Sequence, residues 1–120
     1  MDRFKFRAWD VELQGMSDSF TIQDLAYANM AGITPRFGTD NYILMQCTGL
    51  KDKHGLTLVY EGDIVNANII EYVVPTMGEV VFLKEFSTYA SRNLAGDTFL
   101  WKLDKIEIIG NIYENPELIA

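Results

Sequence analysis

Apolar and polar residues alternate with period two at the start of the chain: Phe4, Phe6 and Ala8 fall on one side, Lys5, Arg7 and Trp9 on the other. That spacing predicts a strand with one buried and one wet face. Asp10 to Gly15 supplies turn residues before Met16, which predicts a hairpin or a bend back across the strand. The period then changes. Ile22, Leu25, Ala26 and Met30 recur at helical spacing behind Thr21 and Asp24, a pair suited to a capping box, so a short amphipathic helix ending at Gly32 is expected. Pro35, Gly38 and aperiodic polar residues make Gly32 to Asn41 a connecting loop.

From Tyr42 the pattern is that of strands. Tyr42 to Gln46 is an apolar, β-favouring run, and Asp52-Lys53-His54-Gly55 is a turn ending in a residue that tolerates positive φ, with Leu56 to Tyr60 returning as the second strand. Glu61-Gly62-Asp63 predicts another tight turn. Ile64 to Val74 then reads as one long strand stopped by Pro75, with Thr76-Met77-Gly78 as the return into Glu79 to Leu83. Lys84 to Asp97 mixes aromatics with small polar residues and predicts a long loop or a short irregular helix. Thr98 to Leu103 and Ile106 to Tyr113 close the series as strands, with a bulge or bend at Gly110. The expected fold is mainly β with minor α: a small SH3-like barrel over residues 42–120, preceded by a strand and helix over 1–41, within one domain of 1–120.

Composition changes this picture little. With 48% apolar and 22% charged residues in 120, the chain suits one core that needs no disulfide or structural metal. Its fifteen aromatic residues are expected to supply much of that core. Charge adds a constraint: ten Lys plus Arg against seventeen Asp plus Glu give a net charge of -7, which repels polyanions at long range. The apolar runs are too short to span a bilayer, no charged, apolar, small-residue signal pattern opens the chain, and a lone Cys47 closes no internal disulfide. A reducing cytoplasm is therefore the expected setting, with no membrane partner.

Four blocks carry a resemblance. Phe4-Lys5-Phe6-Arg7-Ala8-Trp9-Asp10 opens the chain, and Leu44-Met45-Gln46-Cys47-Thr48-Gly49-Leu50-Lys51-Asp52-Lys53-His54-Gly55 lies at its centre. Tyr60-Glu61-Gly62-Asp63-Ile64-Val65 and Ile106-Glu107-Ile108-Ile109-Gly110-Asn111-Ile112-Tyr113-Glu114-Asn115-Pro116-Glu117-Leu118 follow in order. Together they resemble the YopX family. The resemblance implies a small protein carried by bacteriophages and prophages, a barrel-like β core, residence in the host bacterial cytoplasm, and no established biochemical activity for the family as a whole. Two positions depart from the pattern: Cys47 stands where such proteins show an aromatic residue, and Leu56-Thr57-Leu58 replaces a more polar approach to the Glu-Gly-Asp turn. The motif residues, Gln46, Thr48, Gly49, Leu50, Asp52, Gly55, Tyr60, Glu61, Gly62, Asp63, Gly110, Asn111, Tyr113, Asn115 and Pro116, are expected to serve the fold.

Candidate chemistry is sparse. Nucleophilic catalysis needs a base beside the nucleophile, and the one histidine, His54, sits in a turn where polar residues collect because the backbone is exposed. Zinc wants three or four Cys and His ligands in close pairs, whereas Cys47 and His54 stand alone; Cys47 reads as a small buried hydrophobe. Glu61 and Asp63 can share a cation or split acid and base roles, but a turn explains them more simply. No phosphate-cradling or dinucleotide-binding motif is present, so no catalytic residue, metal or cofactor is expected.

Two surfaces invite binding. Arg3, Lys5 and Arg7 beside Trp9 combine cations with an aromatic, as nucleic-acid sites do, although cations on a wet edge strand also guard against aggregation. Phe86, Tyr89 and Leu94 beside Arg92 have the composition of a contact hot spot, or of a barrel cap. The expected function is a non-catalytic phage accessory module that binds a protein of the host or phage, with homo-oligomers joined through strand edges. The alternatives are a nucleic-acid-binding barrel using Arg3, Lys5, Arg7, Trp9, Lys51 and Lys53, which the net charge disfavours, and an enzyme in which Glu61, Asp63 and His54 converge.

Overall fold

The computed structural model describes residues 4–30 and 41–119. β1 (Lys5–Asp10) pairs antiparallel with β2 (Gly15–Met16), with β3 (Phe20–Thr21) and with β4 (Tyr42–Lys51), which in turn pairs with β5 (Leu58–Tyr60). β1 is thus an interior strand. The β1–β4 ladder, from Phe6 opposite Gln46 to Asp10 opposite Tyr42, crosses the boundary considered at residue 41. Helix α1 (Ile22–Met30) opens with the expected capping box: the Thr21 amide donates to Asp24 Oδ2 at 2.8 Å, and the Asp24 amide to Thr21 Oγ1 at 3.1 Å. The expected helix end at Gly32, the loop from there to residue 40, and Arg3 lie outside the described residues.

The second sheet has the order β10-β6-β7-β8-β9, built from β6 (Asp63–Ile69), β7 (Val74–Leu83), β8 (Thr88–Asn93), β9 (Gly96–Phe99) and β10 (Leu103–Asn111). With one sheet curled into a half-barrel, the chain adopts the mainly β, barrel-like fold that the sequence predicts. Its core lies between β5 and the curled sheet, where Val59 meets Val65, Ala67, Val80, Leu100, Leu103 and Ile106. Each Val, Leu or Ile side chain so removed from water contributes about 1.5–3 kcal/mol before entropy is counted. The core is aliphatic. Among the described residues the only buried aromatics are Trp9 and Tyr60, which corrects the expected aromatic interior.

Several boundaries also differ from expectation. The long strand ends at Ile69, a turn occupies residues 70–73 with Val73 at φ 51°, and Pro75 to Gly78 lie inside β7. Pro75 is tolerated because β8 stops at Asn93, leaving the start of β7 paired to β6 alone, so no second ladder asks for the missing N–H. Lys84 to Asp97 is no loop but the β7–β8 turn, β8 and the tight return into β9. Its inward positions looked polar because Ser91, buried, packs against Gly78, where nothing larger fits. Thr98 to Leu103 breaks into β9, a 3-10 turn at Leu100–Lys102 and the start of β10. Gly110 does mark a bulge: the β10–β6 register shifts between Ile108 and Gly110, and the Asn115 side chain fills the space a Cβ would need.

A Cβ at position 78 would overlap Ser91 Oγ and lie 2.7 Å from the Arg92 carbonyl oxygen, whereas one at Gly15 meets nothing within 4 Å. In urea titrations, Gly78→Ala is expected to lower stability by about 1–3 kcal/mol. Gly15→Ala is expected to change it by less than about 0.5 kcal/mol.

Candidate functional site

The Glu61-Gly62-Asp63 segment carries the chain from the first sheet into the second. Gly62 takes φ 85°; its amide donates to the Val80 carbonyl at 2.9 Å and its own carbonyl accepts from Ile112 at 2.9 Å, so the turn is stitched to β7 and to the C-terminal segment. A side chain here would crowd Met45 Sδ at 3.2 Å. Glu61 turns back on β4, its Oε1 accepting from the Gln46 amide at 2.9 Å.

Asp63 is 2% exposed and both its oxygens are used: Oδ2 accepts from the Tyr60 amide at 2.8 Å and Oδ1 from Arg7 Nη2 at 2.8 Å. Arg7 donates as well to the Glu61 carbonyl at 3.2 Å, and its guanidinium lies 4.9 Å from the centre of the Tyr60 ring. Burial pushes the Asp63 carboxyl up and Arg7 and the Tyr60 amide pull it back, leaving it above its ordinary value. Desolvation therefore outweighs attraction. Stability linked to the Asp63 proton is therefore present below the ordinary carboxylate range and lost as pH rises through the raised value.

This geometry corrects the expected face of β1. Arg7 points into the clasp, and Trp9, 5% exposed, stacks on Tyr113 with centroids 5.4 Å apart. Neither lies on a wet edge. Lys5 is half-buried on the same strand. Glu61, Asp63 and His54 do not converge: His54 stands exposed in the turn of the β4–β5 hairpin, whereas the two acids follow the far end of β5. No cluster of three metal-ligating side chains occurs among the described residues. Cys47 is buried and accepts from the Gly49 amide through Sγ at 3.4 Å.

The remaining motif residues face the backbone. Thr48 Oγ1 bridges the Val59 carbonyl and the Leu50 amide, and Gly49, at φ 85°, forms the β4–β5 bulge. Asp52 Oδ1 gathers the amides of His54, Leu56 and Thr57 around Gly55. Asn111 Oδ1 caps the amides of Tyr113 and Glu114, Asn115 Oδ1 accepts from the Asn111 amide, and Pro116 opens a 3-10 turn.

Other side chains converge where no grouping is apparent along the chain. Trp101, on the 3-10 turn before β10, is 65% exposed and stacks on Phe99 at 5.7 Å, which meets Phe86 edge-on at 5.4 Å. Lys102 Nζ lies 5.3 Å from the Trp101 ring centre. A groove of about 300 Å³ joins Trp101 to Lys51, Lys53 and Lys105, and a second of about 470 Å³ shares Lys53 and Lys105. Lys51 and Lys53 were candidates from sequence; Trp101, Lys102 and Lys105 were missed, because period two assigned Trp101 to a strand. The other expected surface does not form as a unit. Phe86 and Leu94 lie at opposite ends of β8, Tyr89 packs against the core, and Arg92 is held by both oxygens of Asp97 at 2.8 and 3.0 Å.

A family model described as YopX protein matches residues 5–120. The chain belongs to the YopX family. Two solved structures share its fold: protein EF1440 from Enterococcus faecalis, 22% identical with TM-score 0.57 over 97% of each chain, and protein yopX from Bacillus subtilis, 17% identical with TM-score 0.58 over 98% of this chain and 99% of that one. The search of curated proteins found no match. The YopX match takes in all four motif blocks except Phe4, from β1 through the clasp to the C-terminal turn.

Removing one partner of the clasp strands the other charge. Asp63→Ala is expected to cost about 3–5 kcal/mol in denaturant unfolding, and the double variant Arg7→Met/Asp63→Leu less than that single change. Tyr89 gives a second check: burial, helped by Glu61, pushes its hydroxyl up to about 12. The folded state holds this proton more tightly, so the associated stability is present below about pH 10, the ordinary tyrosine value, and lost as pH rises through the folded value. Burial also pushes Tyr60 and Tyr113 up, so ultraviolet titration should show several late tyrosine steps, of which Tyr89→Phe removes one.

Proposed function

We propose that this YopX-family protein is a non-catalytic phage accessory that works in the bacterial cytoplasm by binding a protein partner, as a homo-oligomer joined along strand edges. One observation carries the reading: the polar groups best suited to chemistry, Arg7, Glu61 and Asp63, are engaged in the clasp, while large apolar side chains such as Trp101, Phe86, Tyr72 and Val73 stand exposed. Exposed apolar clusters of this kind mark contact surfaces. Among the described residues no helix is long and apolar enough to cross a membrane. The nucleic-acid alternative loses Arg7 and Trp9, its central pair, to the interior.

Light scattering is expected to give a mass above the 13.7 kDa of one chain, and affinity capture from bacterial lysate to retain one protein reproducibly. Capture should survive Glu61→Gln and His54→Ala. A monomer that retains nothing, or retention lost with either change in a folded variant, counts against the reading.

A further inference from the structure

We propose that the slot between β4 and β7 takes an extended segment of a partner protein, bonded through its backbone and carrying Lys or Arg between apolar side chains; the inference rests on the binding-module reading. β4 from Tyr42 to Met45 is paired to β1 alone, because its ladder with β5 reaches only to Cys47. β7 from Val80 to Leu83 is likewise laddered to β8 alone. The two open edges converge on Glu61-Gly62. There the Glu61 amide donates to the Gln46 carbonyl of β4 at 3.0 Å, and the next amide, that of Gly62, to the Val80 carbonyl of β7 at 2.9 Å. Gln46 and Val80 therefore direct peptide groups toward the slot, and the alternation of a strand points those of Leu44 and Phe82 the same way. Neither Leu44 nor Phe82 has a backbone partner on that side among the described residues. Two consecutive residues of the chain already bond one to each edge, so the slot suits more backbone of the same kind, and open edges are what a partner's strand completes.

Charge chooses what that segment carries. The groove of about 210 Å³ between the edges is lined by Glu61, Glu79 and Tyr113 among apolar neighbours that include Ile43, Leu44 and Phe82, and by no cation among the described residues. Glu61 spends one oxygen on the Gln46 amide, whereas half-buried Glu79 has no hydrogen bond or ion pair among the described residues. The cations around the groove are already matched: Arg92, whose field reaches Glu79, is held by Asp97, and Arg7 by Asp63. Lys84 and Glu85, in the turn after β7, offset each other. An ammonium or guanidinium entering beside Glu79 meets an unpaired carboxylate and the Tyr113 ring, while exposed Ile43, Leu44 and Phe82 receive the apolar side chains between the cations. A phosphate backbone would be repelled by both acids.

Fluorescence anisotropy with a short labelled peptide of alternating Val and Lys tests this. Control probes are its Glu-for-Lys counterpart, a copy N-methylated at alternate residues and a single-stranded oligonucleotide. The Val-Lys peptide should bind, and each control should bind roughly tenfold or more weakly, since N-methylation removes the donors facing one edge and leaves every side chain in place. Glu79→Gln should weaken the Val-Lys peptide several-fold at low salt and less at high salt. Bound peptide should also slow hydrogen exchange at the Leu44 and Phe82 amides, a readout that needs no variant. No binding of the Val-Lys peptide, equal binding of the N-methylated or Glu peptide, stronger binding of the oligonucleotide, indifference to Glu79→Gln with an unaltered thermal melt, or unchanged exchange at both amides overturns the inference. Protection of those amides that grows with concentration in the protein alone makes the occupant a second copy and overturns it too. A protein captured from lysate that leaves both amides exchanging as in the free chain removes the slot and keeps the module reading; if lysate yields no partner, both fall.

Discussion

The junction between the two sheets depends on one buried ion pair. Arg7 comes from the middle of β1, Asp63 from the first residue of β6, and they meet behind a turn whose glycine is bonded to both β7 and the C-terminal segment. Because Asp63 also holds the Tyr60 amide, the direction in which the chain leaves β5 is fixed by the same carboxylate that fixes β1. A purely apolar contact would tolerate sliding of one sheet over the other. A charge out of water does not, since its partner must be met at one distance and one angle.

Much of the fold was legible because local rules and tertiary demands agree at most turns. The capping box at Thr21 and Asp24, the hairpin at Asp52 to Gly55 and the bulge at Gly110 are decided by residues within a few positions of each other. Misreadings arose where the deciding partner lies far away in sequence. Pro75 looked like a stop because nothing nearby shows that its strand lacks a second neighbour there. Ser91 looked like loop composition because the glycine that demands a small residue is Gly78. Arg7 looked solvated because its counter-charge is 56 residues on.

The candidate site was legible in the same proportion. The Glu-Gly-Asp turn stood out, and reading it as structure agrees with the hydrogen bonds around it. Trp101 and its lysines did not stand out, because period-two alternation describes a strand whereas the chain makes one 3-10 turn there, and that turn swings the indole outward. Lys51 and Lys53 come from the β4–β5 hairpin and Lys102 and Lys105 from beyond β9, and they meet where the Lys53 amide donates to the Ile106 carbonyl at 2.7 Å.

Val73 adopts a left-handed backbone conformation, a region that disfavours a side-chain-bearing residue by roughly 1–2 kcal/mol and a branched one most of all. Left to its own preference, that turn would open. The six register pairs of β6 and β7 act as a splint that holds it shut, so the strain at Val73 is borne by the ladder behind it.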